Sequence, residues 1–100
     1  MAAGPAWLFK EEEALAAIPE GVILVAPTAS PKYARLAGRV SGLVTEMGSV
    51  TSHLASVARE FAIPLIVGAR GASEKIPQGT LVTLDADSAT IYEGVDEARL

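Results

Sequence analysis

The 100-residue sequence predicts a small three-layer α/β domain. Short β-branched apolar runs recur between glycines and prolines, as buried strands do. One later segment carries apolar residues at helical spacing instead. Their order runs strand, short helix, strand, helix and then three strands, and 100 residues hold one domain at most.

Residues 1–19 differ in composition from the rest. A small-residue start and Trp7-Leu8-Phe9 lead into Lys10-Glu11-Glu12-Glu13 and an Ala/Leu stretch that Pro19 should stop. The expectation is a short helix or linker ahead of a domain over residues 20–94, with residues 95–100 as a tail. Val22-Ile23-Leu24-Val25, bounded by Gly21 and Pro27, reads as a strand buried on both faces. Ser30-Pro31 is an N-cap followed by proline at the first helical position, and Gly38 ends that short helix. Residues 40–45 read as a second strand with Gly42 in its middle, followed by a loop over residues 46–50 that holds Gly48. Leu54, Val57, Ala58 and Phe61 then fall at i, i+3, i+4 and i+7, one apolar stripe of a helix that Pro64 ends. Leu65-Ile66-Val67 makes a strand closed by Gly68, Gln78-Gly79 a turn, and residues 81–84 and 89–92 the last two strands.

Composition narrows the chemistry. Half of the residues are apolar and a fifth are charged, which suits a packed globule rather than a disordered chain. No cysteine is present, so disulfides, thiolate metal sites and thiol catalysis are excluded. Eight basic residues against twelve acidic ones give the wrong sign for a dedicated nucleic-acid binder. No apolar run approaches the roughly 20 residues of a membrane helix, and the expected location is the cytoplasm.

His53 is the single histidine, so every imidazole mechanism must use it. It lies where a strand runs through a small-residue loop into the amphipathic helix, and Thr51 or Ser52 can cap that helix. The first turn exposes backbone N–H groups and the positive end of the helix dipole, which favour an anion. The same field disfavours a protonated ring and leaves a nitrogen lone pair available. Both effects suit a nucleophilic histidine that accepts a phosphoryl group. Residues 21–73 hold five basic residues against two acidic ones, net +3 in a chain of net −4. Arg59, six positions after His53, is long enough to reach toward the helix start, although a solvated arginine is an equal reading of it.

These residues carry a resemblance. Thr45-Glu46-x-Gly48-x-x-Thr51-Ser52-His53-x-Ala55-x-x-Ala58-Arg59-x-x-x-Ile63-Pro64-x-x-Val67-Gly68 resembles the signature of the phosphohistidine mobile domain of phosphoenolpyruvate-utilising enzymes. That family includes phosphoenolpyruvate synthase, pyruvate phosphate dikinase and the first enzyme of the sugar phosphotransferase system. The resemblance spans roughly residues 19–94 and implies a compact swivelling β/β/α domain. It implies that His53 is transiently phosphorylated and that Gly48, Ser49, Thr51, Ser52 and Arg59 surround the phosphate. Thr51 matches a threonine that is a regulatory phosphorylation site in some dikinases. Two positions depart from the pattern: Ser49 stands where a second glycine is usual, and Glu46 where Asp is common.

The resemblance further implies a carrier that shuttles phosphate between a nucleotide-binding domain and a phosphoenolpyruvate/pyruvate barrel. ATP, phosphoenolpyruvate or pyruvate and Mg2+ would belong to those partner domains, and the isolated domain would not turn over alone. No metal site is expected in the chain itself, and Asp85-x-Asp87 reads as a hairpin turn. Two rival readings are a non-catalytic module holding an anion or a partner at the helix start, and the corresponding domain of a sugar phosphotransferase first enzyme.

Overall fold

A computed structural model describes residues 2–9, 17–48, 52–88 and 90–93. Six strands form one mixed sheet in the order β4-β3-β2-β1-β5-β6. They are β1 (Ala2–Leu8), β2 (Ile23–Ala26), β3 (Gly42–Thr45), β4 (Leu65–Ile66), β5 (Leu81–Asp85) and β6 (Thr90–Glu93). β1 to β4 pair in parallel, while β5 joins β1 and β6 antiparallel. A 3-10 helix, η1 (Pro31–Leu36), follows β2, α1 (His53–Glu60) follows β3, and α2 (Ala72–Lys75) follows β4.

The fold is the expected α/β class, with a core on each face of the sheet. Period-2 alternation sends Leu24, Ala26 and Leu43 to one face, where they meet Tyr33 and Leu36 of η1 and Leu54 and Ala58 of α1. Ile23, Val25, Val44 and Ile66 point to the other face, against Val82 and Leu84 of β5 and Ala72 of α2. Leu84 comes from three strands away, so the sheet curls over itself. A Cβ on Gly42 would stand 2.8 Å from Leu84 Cδ1 and 3.2 Å from Ile23 Cδ1. Gly42 therefore opens β3 because the curled strand leaves no room for a side chain. Helices, parallel strands and the curled β5–β6 ribbon give the three layers.

Residues 1–19 require a correction. Residues 2–8 form neither a helix nor a linker but a strand inside the sheet. Its two halves serve different neighbours: Ala6, Trp7 and Leu8 pair with Ile23, Leu24 and Val25, whereas Ala2 to Pro5 pair with Leu84 to Leu81. The segment lacks β-branched residues, and at Gly4 it passes close to a neighbour. A Cβ on Gly4 would run into the Gly21 carbonyl oxygen. Pro5, which cannot donate to a ladder, sits where the strand changes partners. The helix expected over residues 10–16 and the tail at 95–100 lie outside the described residues.

The α1 stripe also differs from its expected form. Leu54, Ala55 and Ala58 are buried, but Val57 is half-buried and Phe61 is 55% exposed. The helix stops at Glu60, before Pro64, because Ala62 takes a left-handed conformation (φ 57°). That turn swings Ile63 onto the core instead, with its N–H bonded to Ala58 O at 3.0 Å. α2 is a single turn that no periodicity announced. Among the described residues, no helix is long and apolar enough to cross a membrane.

Candidate functional site

In parallel sheets, loops leaving the carboxyl ends of the strands build binding sites. Here the loops after β2 and β3 meet at that edge. Glu46 N–H donates to Ala26 O at 3.0 Å and Met47 N–H to Pro27 O at 3.1 Å. Gly48 adopts φ 144°, and a Cβ there would lie 2.7 Å from Ala29 Cβ. A side chain is thus opposed by both backbone conformation and space. Beneath this loop the side chain of Thr45 is fully buried, and its Oγ1 has no hydrogen-bond partner among the described residues.

The loop delivers the chain to α1. Ser52 is the N-cap: its backbone is extended (φ −66°, ψ 161°) and its Oγ accepts from Ala55 N–H at 3.1 Å. Its carbonyl accepts from Ser56 N–H at 3.1 Å. The N–H groups of His53 and Leu54 are left in the first turn without an intrahelical acceptor. His53 is the first residue of α1 and its side chain is exposed. Imidazole, backbone donors and positive dipole end therefore coincide at one accessible point.

Arg59 lies in the last turn of α1, and its Nη2 donates to Ser56 Oγ at 3.3 Å. His53, Ser56 and Arg59 follow one another at i, i+3 and i+6, which is one row along the exposed side of the helix. The guanidinium thus reaches one turn back toward the helix start, although its contact is Ser56. Of the other expected phosphate-binding residues, Ser52 and Gly48 flank the site as described, whereas Ser49 and Thr51 lie outside the described residues.

Glu46, the acidic residue nearest to His53 in the loop sequence, is turned away to α2. Its Oε1 accepts from Ser73 N–H at 2.7 Å and Ser73 Oγ–H at 2.6 Å. These bonds, the side-chain one foremost, hold its carboxyl below the usual 4.5. Sequence spacing offered no sign of this pairing across 27 residues. Asp85 is occupied locally, its Oδ1 accepting from Asp87 and Ser88 N–H in the β5–β6 turn.

The profile of the family described as "PEP-utilising enzyme, mobile domain" matches residues 18–89. The chain is 37% identical over 91 residues to pyruvate kinase 2 of Synechocystis sp., covering 91% of the chain and 15% of that protein. It is 37% identical over 91 residues to the phosphoenolpyruvate synthase of Aeropyrum pernix, covering 88% of the chain and 11% of that protein. It thus spans only a small fraction of the curated relatives it matches. A solution structure of Enzyme I superposes with a TM-score of 0.71 at 28% identity, over 86% of this chain and 36% of that one.

Proposed function

Because the chain belongs to the family of PEP-utilising enzyme mobile domains, we propose that it is a phosphoryl carrier whose His53 takes up the group and passes it on. The observation that carries this reading is the exposed imidazole at the capped start of α1. An imidazole nitrogen lone pair attacks the donor phosphorus, forming a P–N bond as the P–O bond to the leaving group breaks. The other ring nitrogen keeps its proton. An acceptor oxygen then attacks the same phosphorus, and P–N cleavage restores the imidazole. Dividing the transfer in this way replaces one difficult step with two easier ones. The backbone N–H groups of the first turn stabilise the bound dianion, and Gly48 lets the loop backbone approach it closely.

In this reading the domain swivels between a nucleotide-binding domain and a phosphoenolpyruvate/pyruvate barrel in the cytoplasm. ATP, phosphoenolpyruvate or pyruvate and Mg2+ are bound by those partner domains. Among the described residues no three His, Cys, Asp or Glu side chains gather as a metal centre would require.

The test supplies labelled phosphoenolpyruvate or ATP to the chain together with the partner domains. The expected adduct is acid-labile and base-stable and disappears in His53→Ala. Full labelling of that variant would overturn the assignment.

A further inference from the structure

Glu46 has no part in the transfer described above, yet its carboxylate is held by two short bonds from Ser73. Ser73 lies in the first turn of α2, whose N-cap is Gly71 and which has no side-chain cap from its own segment. Glu46 supplies that cap from the β3–α1 loop. A carboxylate suits the place because charge-assisted bonds to N–H and O–H are stronger than neutral ones.

The consequence for His53 follows from how the loop is fixed. The backbone N–H groups of Glu46 and Met47 are tied to the β2 end, and Gly48 stands against Ala29. On the far side, Ser52 is locked into the α1 cap. Glu46 thus stands only six positions before the Ser52 cap in sequence.

We propose that Glu46 is a positioning residue: its tie to Ser73 couples the loop to α2 and fixes where the start of α1, and hence His53, stands at the sheet edge. It touches neither donor nor phosphoryl group. The proposal rests on the reading of His53 as the acceptor. Small misplacements of a nucleophile are costly, about 100-fold for 1 Å, and loss of one outer tie is expected to cost about a tenth of that.

The experiment compares Glu46→Ala, Glu46→Gln, Ser73→Ala and the double variant Glu46→Ala/Ser73→Ala in the protein with its partner domains. Glu46→Ala and Ser73→Ala should each lower kcat for His53 phosphorylation roughly five- to tenfold with the donor KM unchanged. The double variant should be no slower than the slower single one, because both remove the same tie. Glu46→Gln, which keeps an acceptor oxygen, should recover part of the rate and serves if the alanine variants fold poorly. Independently of any donor, the His53 ring resonances in NMR spectra should shift in the same direction in both single variants. Additive rate losses, a raised KM or unmoved ring resonances would each overturn the proposal. Absence of label on the wild-type protein would instead strike the acceptor reading, and the ring resonances would still decide whether Glu46 positions His53.

Discussion

Ser52 caps the first turn of α1 and His53 begins it, so substitutions at the two positions should have separable effects. Ser52→Ala removes the bond to Ala55 N–H and should cost about 1 kcal/mol of stability in urea unfolding. Arg59→Ala should leave unfolding nearly unchanged while slowing transfer about tenfold or more, the scale of losing a positioned donor. Arg59→Lys should recover only part of that rate, since an ammonium lacks the guanidinium fork. Wild-type rates in both would make Arg59 a surface cation with no part in the transfer. Glu46 adds a pH dependence. Its folded-state carboxyl is held below 4.5 by Ser73, so the unfolded chain binds protons first as pH falls. Its contribution is complete above about 4.5 and is lost as pH drops through the folded value. Acid unfolding of Glu46→Gln should therefore show a shallower slope below that pH than the wild type. A cap at Thr51 or Ser52 was legible because capping is local in sequence, Ser52 lying three residues from Ala55. The Glu46–Ser73 tie was not, because no short-range pattern encodes a bond across two elements.

At the level of elements, legibility followed side-chain chemistry. β2 and β3 announced themselves through Val, Ile and Leu, and their ends shifted by only a residue or two. α1 announced itself through its buried Leu54 and Ala58, but Phe61 looked like part of the same stripe. The left-handed Ala62, which no residue type signalled, ends the helix and leaves that ring outside the core. β1 was hidden because its first five residues are alanines, a glycine and a proline, which read as linker; close approach to Gly21 accounts for Gly4. α2 was hidden because one turn is too short to show a period. The loop before α1 makes a prediction of its own. Gly48→Ala places a Cβ against Ala29 at a φ of 144°, which should cost about 1–3 kcal/mol in urea unfolding. An unchanged midpoint would mean that the loop can shift away without loss.

The whole molecule depends on β1 as a bridge. β2 to β4 lie on one side of it and β5 to β6 on the other, and among the described residues no other strand pairs with both. Deleting residues 1–8 should therefore abolish cooperative thermal unfolding rather than lower the midpoint by a few degrees. A sharp transition in the truncated chain would show that the two halves hold together without it. The same bridge sets a schedule for folding. β1 is synthesised before β5 in any reading frame that contains this chain, yet half of its length pairs only with residues 81–84. Leu8 N–H likewise finds its acceptor, Gln78 Oε1, 70 residues downstream. A chain emerging from the ribosome can pair β1 with β2 early, but the other edge of β1 stays open until residues 81–84 have been made. Closing so distant a pair is slow compared with forming α1, so refolding of these 100 residues should be limited by the docking of β5 and β6.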